Sequence, residues 1–595
     1  MKETRTQIVL GFDCQEDICC PFGNMRRLIR EDLANCAPGL DISKAAVAMI
    51  VSPNSRRLRV FGGIAVLALT ATYIHIRPRL GEAPFEYARD YYETVTHYFN
   101  NPVYNNTLYN DSNEQLVHQL YNSSTPCANF PNTDGILLVM KTGATEAFDR
   151  VPTHLLTTLS CLPDFLMFSD MEQQIGPYHL YDALAEFEES AKAHNADFDL
   201  YRDQKECPVS QKSCVDAKVD GQKAWNLDKY KFLPMMEQTW RMRPGRDWYI
   251  FAEADTYVFW ANIVHWLKNE SGLSPREKIY LGSRSYIGGT PFAHGGSGYV
   301  ISGTLLKHLI EYHSGVVKQY NVRGANECCG DLMLAMALDE YEKVKVRQTW
   351  PMINGEKPST LPYGPGHWCE PILTMHHMNA EEISTVWQFE QTRKTDNVLL
   401  IKDLYDGLIR PKMQVSRENW DNLSDDVCYL NPDPGAQQRA DTQSRERQKK
   451  ESDLNSVEKE AWRSWEHCAK VCASEDVPED EDWGQHEIMT RQQDEPVTSS
   501  DTVGAEDTSP SHAPAREGWK KSMKEKKRNR SCFQYSWHDE VCCTAKSFKL
   551  GSPKSAPPNN DQKMMWRSGW HLKGINDWID AMGECKKPAW VKPTL

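Results

Sequence analysis

The sequence predicts an α/β body behind a single N-terminal apolar span, with a small disulfide-rich α+β module at the C-terminal end. Three observations carry this. Between residues 131 and 412, continuous apolar runs that end at Gly or an acid alternate with helical segments, the pattern of a largely parallel sheet covered by helices. Only one stretch is apolar enough to enter a membrane. Cys428, Cys468, Cys472, Cys532, Cys542, Cys543 and Cys585 crowd a C-terminal region too small to accommodate them unless they crosslink it.

Composition narrows the class. The chain has 595 residues, a net charge of −14, 18 Cys and 18 Trp, and is 40% hydrophobic. An acidic balance argues against a nucleic-acid surface, which needs clustered excess Lys and Arg. The apolar content excludes a wholly disordered chain, and the lack of repeated apolar spans excludes a polytopic membrane protein.

The apolar span is Val60 to Ile76, VFGGIAVLALTATYIHI, flanked by Arg56, Arg57, Arg59, Arg77 and Arg79. At about 1.5 Å per residue it reaches roughly 25 Å, short for a bilayer and suited to the thin membranes of the early secretory pathway. A buried helix or signal-peptide core is the other reading, and Met49 is an alternative start that would favour the latter. N-x-S/T sequons begin at Asn105, Asn110, Asn122, Asn269, Asn422 and Asn529, all after the span. Four cysteines (Cys14, Cys19, Cys20 and Cys36) precede it, and the other fourteen follow without zinc-ligand spacing, as disulfides would. The expectation is a type II protein of the Golgi membrane, or the endoplasmic reticulum. Residues 1–59 would be a cytoplasmic tail, 60–76 a signal-anchor and 77–130 a stem; everything after the span would be lumenal.

Within the body, GILLVMKTG (135–143) reads as a buried parallel strand ended by Gly143, and Leu162 to Asp170 repeats the pattern with an acid at its carboxyl end. Tyr178 to Ala193 and Leu227 to Thr239 read as helices. Asp247 to Asn269 reads as strand, acidic turn and helix, with Ile263, Trp266 and Leu267 on one helical face. Beyond the body, 413–467 is a linker leading into the C-terminal module, 468–595, in which 474–528 is an insertion with the composition of a disordered segment.

The chemistry centres on Glu253-Ala254-Asp255. Two carboxylates at the end of an apolar strand can hold Mn²⁺ or Mg²⁺ and leave positions open for diphosphate oxygens. A solvated turn is the plain alternative, set aside because the pair sits where open α/β sheets bind ligands. Phe292 to Ser302 is glycine-rich without dinucleotide-binding spacing, so its glycines permit close approach of backbone to a ligand. Asp331 opens an apolar helix after Cys328-Cys329-Gly330. Gly364-Pro365-Gly366-His367-Trp368-Cys369 leads to His376-His377, one of whose imidazoles could complete the metal site.

In series, DWYIFAEADTYV, HGGSGYVIS, CGDLMLAMAL and GPGHWCEPILTMHHM resemble the core 1 β1,3-galactosyltransferase branch of family-31 glycosyltransferases, which also includes the Fringe enzymes. The resemblance covers roughly 131–410. It implies a GT-A nucleotide-sugar-binding fold, a UDP-sugar donor, Mn²⁺ and inversion at the anomeric carbon. It further implies Asp331 as catalytic base, and Asp255 and His376 as metal ligands. Glu253, Lys141, Thr142, Gly143, Asp220, Gly221 and Lys231 would contact the donor, and Gly295, Gly296 and Trp368 the acceptor. Two residues depart from the family pattern: Glu253 replaces the first Asp of the acidic triplet, and Gln222 stands where this branch tends to carry Arg. The C-terminal cysteine pattern resembles a PAN/Apple module, a helix stapled to a small sheet. The pairing expected from it is Cys428 with Cys585, and Cys468 and Cys472 with two of Cys532, Cys542 and Cys543.

The function expected is transfer of galactose from UDP-galactose in β1,3 linkage to a glycoprotein acceptor. The alternative is a membrane-bound glycan- or protein-binding protein with a decayed transferase domain. Neither reading involves nucleic acid, and a homodimer is compatible with both.

Overall fold

The computed structural model describes residues 127–214, 217–393, 397–474 and 530–595; for 217–220 only the backbone is described. The expected tail, span and most of the stem lie outside them, as do the sequons at Asn105, Asn110, Asn122 and Asn529 and nearly all of the insertion. Among the described residues no helix is long and apolar enough to cross a membrane.

The central sheet is mixed and eight-stranded. Its strands are β1 (Ile136–Lys141), β2 (Phe165–Ser169), β3 (Gln173–Ile175), β4 (Tyr178–Asp182), β5 (Trp248–Glu253), β7 (Tyr280–Gly282), β10 (Tyr299–Ser302) and β11 (Arg347–Gln348). The order is β11-β7-β10-β5-β1-β2-β4-β3. Strands β4, β2, β1 and β5 run parallel, and β10 joins β5 antiparallel. Two small antiparallel pairs lie outside the central sheet: β6 (Tyr257–Val258) pairs with the distant β12 (Thr374–Met375), and β8 (Arg284–Ile287) forms a hairpin with β9 (Thr290–Ala293).

The apolar runs of β1, β2, β5 and β10 are continuous because these central strands are buried on both faces. Leu137, Val139, Tyr249 and Phe251 face one helical layer, which includes Phe232–Met242 and Gly330–Glu342. Ile136, Leu138, Met140, Trp248 and Ile250 face the other, with α1 (Ala147–Leu156) and the Trp260–His265 helix. Ile263, Trp266 and Leu267 are buried, as expected of one helical face.

Two expected helices are corrected. Tyr178–Asp182 is strand β4, docked parallel on β2, and only Glu189–Ala193 is helical. Tyr178, Leu180 and Tyr181 favour a pleated edge when a partner strand is at hand. Leu227 to Thr239 is two helices, Ala217–Asp228 and Phe232–Met242. Pro234 has no N–H to donate, so it sits in the first turn of a new helix.

The C-terminal module is a five-stranded antiparallel sheet. Its order is β13 (Ser416–Glu418), β19 (Arg567–Trp570), β16 (Gln534–His538), β17 (Val541–Ala545), β15 (Val427–Leu430), and β14 (Trp420–Asp421) pairs separately with β18 (Ser552–Pro553). The Trp465–Ala473 helix is stapled to it by Cys468–Cys542 and Cys472–Cys532, as expected. The other expected pair is wrong. Cys428 lies in register with Cys543 across β15 and β17 and bonds to it, while Cys585 bonds to Cys369 in the α/β body. Cys127–Cys161, Cys207–Cys214 and Cys328–Cys329 account for the remaining cysteines after the expected span. Body and module share one core, in which Trp368, Tyr405, Phe533, Phe548 and Trp578 meet, and the chain end returns to β11 through Gln348 N–H and Thr594 O at 2.6 Å.

Two further expectations change. Residues 127–130 belong to the body, since Cys127 is crosslinked and Phe130 packs 5.9 Å from Trp260. Asn422 is no glycan acceptor in the folded chain: it is fully buried, and its Nδ2 donates to the carbonyls of Tyr535 and Gly569.

Candidate functional site

A cavity of about 550 Å³ opens at the carboxyl ends of β1, β2 and β5, the place where parallel sheets bind ligands. Its wall brings together Gly143, Lys231, Glu253, Asp255, Gly295, Gly296, Asp331 and His376, all of them expected site residues.

One wall is a carboxylate–imidazole group. Asp255 follows β5, and its Oδ1 lies 3.1 Å from His376 Nε2. His377 completes a set whose ligand atoms all lie within 4.8 Å of one another. Successive residues of a strand point to opposite faces. His377 escapes that rule through a left-handed backbone, φ 59°, which brings its ring centroid to 3.9 Å from that of His376. Burial works to raise the Asp255 carboxyl, but the hydrogen bond and charge of His376 and the charge of Arg150 outweigh it and hold Asp255 below its ordinary range. Behind the turn, buried His154 bonds the Ala254 carbonyl through Nε2 at 3.0 Å, and burial lowers its pKa to about 4.

A carboxylate with two imidazoles is a donor set for a divalent first-row ion: the carboxylate suits Mn²⁺, and the imidazoles suit Zn²⁺ or Fe²⁺. Asp255, His376 and His377 therefore fit a divalent cation. Glu253 stands aside, its Oε1 held 3.0 Å from Lys141 Nζ and its Oε2 3.9 Å from His376 Nε2.

The floor is a charge network in which Lys141, Lys231 and Asp170 are buried and the carboxylates of Asp228 and Glu253 reach the cavity. Lys141 pairs with Asp228 as well as Glu253. Lys231 Nζ lies 2.8 Å from Asp228 Oδ1 and 3.3 Å from Asp170 Oδ2, and donates to the Thr142 carbonyl at 2.9 Å. Burial disfavours the Asp228 charge, but Lys141 and Lys231 reverse this and drive its pKa far below the usual range. The same balance leaves Lys231 raised. Lys141 and Thr142 thus support the floor from beneath, while Gly143 and Lys231 reach the cavity.

The opposite wall is Asp331, in the first turn of the Gly330–Glu342 helix. Its Oδ2 accepts from the Gly295 amide at 2.8 Å and its Oδ1 from the Leu332 amide at 2.8 Å. Burial raises its pKa, and these two amides only partly offset that. Beside it, His294 Nδ1 accepts the Ser297 amide at 3.2 Å, which leaves the proton of a neutral ring on Nε2. The 294–298 loop is fastened on both sides: Thr256 Oγ1 donates to the Gly296 carbonyl and Thr374 Oγ1 to that of Ser297, each at 2.7 Å.

Two expected residues are not brought here. Trp368 is 2% exposed, packed between Tyr405 and Trp578 in the shared core, so it cannot meet an acceptor. Gly221 is exposed on the Ala217–Asp228 helix away from the wall. Only the backbone of Asp220 is described. That helix contributes Ala224, Trp225 and Asp228 to the wall instead. Sequence reading missed Glu146, Arg150, Asp170, Trp225, Asp228 and His294. Asp170, an acid at a strand's carboxyl end, and His294, inside the glycine-rich motif, carried a signal.

No protein-family model matches this chain. No curated protein matches it either.

Proposed function

We propose that this protein is a metal-dependent inverting glycosyltransferase that moves a sugar from a nucleoside-diphosphate donor, UDP-galactose by resemblance, to a hydroxyl of a protein-linked glycan. The observation that carries the reading is one cavity walled by the Asp255–His376–His377 group on one side and the isolated carboxylate of Asp331 on the other. The parallel β4-β2-β1-β5 core followed by antiparallel β10, with its acidic turn after β5, supports a GT-A arrangement. The sequons other than Asn422, the cysteines after the expected span and the apolar composition of that span support a type II protein of the secretory pathway.

Asp255, His376 and His377 would hold Mn²⁺ or Mg²⁺, which supplies compensation for charge developing on the departing diphosphate. Asp331 takes the proton of the acceptor hydroxyl as the new C–O bond forms at the anomeric carbon and the bond to the diphosphate oxygen breaks. Two backbone amides keep its carboxylate aimed, and burial raises its basicity toward that of a useful base. Lys141 and Lys231 fix Asp228 and the Gly143 loop, which bound the donor end of the cavity.

The test is a donor screen on the full chain with Mn²⁺, a panel of UDP-sugars and glycopeptide acceptors, read as UDP release and product mass. Transfer from one donor is the expected result. Nucleotide-sugar binding without turnover on any acceptor would favour the glycan-binding alternative.

A further inference from the structure

Asp255 has a second partner that no motif signals. Arg150, on α1, places Nη1 3.0 Å from Asp255 Oδ2, opposite the oxygen that faces His376. Its Nε is held at 2.7 Å by Glu146 Oε2 one turn earlier. The carboxylate meant for a metal thus already has a cation on it. A guanidinium and a divalent ion cannot share one carboxylate without strong like-charge repulsion at that spacing.

The other cations of the wall are locked. Lys231 has 1% of its side chain exposed, between Asp170 and Asp228, and Lys229 has 9%, 2.9 Å from Asp197 Oδ2. Arg150 has 33% exposed and stands on a long, rotatable stem. Its planar fork also matches phosphate oxygens, which an ammonium does not.

We propose that Arg150 is a displaceable stand-in cation: it neutralises Asp255 before metal binds, and then turns its guanidinium onto the diphosphate of the incoming nucleotide. This rests on the transferase reading above. It adds a positioning role for a residue on a different element, and predicts that metal and nucleotide binding respond to Arg150 in opposite directions.

The experiment measures Mn²⁺ binding to the full chain without nucleotide by calorimetry, and UDP binding at saturating Mn²⁺, for wild type, Arg150→Gln and Arg150→Lys. Arg150→Gln is expected to bind Mn²⁺ about tenfold more tightly and UDP about tenfold more weakly, the scale of one charge-assisted contact. Arg150→Lys is expected to lie between Gln and wild type on both measures. A gain in Mn²⁺ affinity cannot come from a misfolded site. Unchanged or weaker Mn²⁺ binding in Arg150→Gln overturns the stand-in role. Tighter Mn²⁺ binding with unchanged UDP binding overturns the transfer to diphosphate. If wild type binds neither Mn²⁺ nor UDP, the transferase reading falls and takes this inference with it. If wild type binds both and Arg150→Gln moves neither, only the inference falls.

Discussion

His376 stands where a side chain on Gly296 would be. A Cβ built on Gly296 lies 2.2 Å from His376 Cε1 and 2.4 Å from Nε2, well inside contact distance. The glycine is needed for this approach rather than for its backbone angles. It lets the loop that meets Asp331 through Gly295 also close over the imidazole that meets Asp255. Gly296→Ala should push the ring off Asp255 and lower Mn²⁺ affinity at least about tenfold, since one ligand is misplaced. Calorimetry with Mn²⁺ checks this, with thermal unfolding as a control. Unchanged affinity would show that His376 is not a ligand.

The two walls of the cavity should fail in different ways. Asp255→Ala removes the only carboxylate of the metal group, so Mn²⁺-dependent UDP binding should be lost. His376→Ala should weaken it less, because a neutral imidazole supplies no charge. Asp331→Asn keeps the shape of its site but cannot take a proton. It should bind UDP and Mn²⁺ normally, while transfer falls by roughly 10²–10⁴-fold. Because burial raises the Asp331 pKa, the base is ionised only above a midpoint higher than the ordinary Asp value of 3.8. Wild-type turnover at saturating substrates should therefore rise with pH through that midpoint, and the rise should vanish in Asp331→Asn. An identical acid limb in the variant would assign it to another group.

Residues whose role is local were legible in the sequence. Strands β1, β2 and β5 announce themselves because burial on both faces demands unbroken apolar runs, and Glu253, Asp255 and Asp170 mark their carboxyl ends. What escaped depends on pairing at a distance. Arg150 and His154 reach the Asp255 turn from a helix about a hundred residues upstream, and nothing around them differs from an ordinary amphipathic helix. The pairing of Cys428 with Cys543 is decided by the register of β15 on β17, which the spacing of cysteines does not encode. Trp368 misled for a related reason. It belongs to a Gly- and Pro-rich motif near the site, yet that motif anchors the body to the C-terminal module.

That anchor gives the third prediction. Cys369–Cys585 closes 216 residues of chain and adjoins the Trp368–Trp578 contact, whose ring centroids are 5.2 Å apart. Loss of a native disulfide in a secreted domain costs typically about 2–5 kcal/mol. Cys585→Ser should lower the denaturation midpoint accordingly and expose Trp368, while the cavity keeps its Mn²⁺ affinity. Proteolysis of the variant should release the C-terminal helix Leu572–Met582 first. Equal protection in both proteins would mean that the shared core holds without the crosslink.

The last prediction concerns a carboxyl on the far side of β6. Glu390, in the Ala380–Thr392 helix, accepts the hydroxyl of Tyr257, two residues beyond Asp255. Burial raises its pKa from 4.5 to about 7, against the opposing effects of Tyr257 and Arg393. The folded state thus binds this proton more tightly than the unfolded chain. Its contribution to stability is fully present below about pH 4.5 and is lost as pH rises through about 7. Glu390→Gln mimics the protonated form at every pH and keeps an oxygen for Tyr257. It should be close to wild type at pH 4.5 and more stable by roughly 1–3 kcal/mol at pH 8. Urea unfolding at the two pH values measures the difference. Parallel stability curves would mean that solvent reaches the carboxylate and that Tyr257 is held by packing against Phe259, whose ring centroid lies 5.0 Å away. A variant stabilised only at the higher pH would show instead that this half-buried acid, when ionised, opposes the packing of Tyr257 in β6.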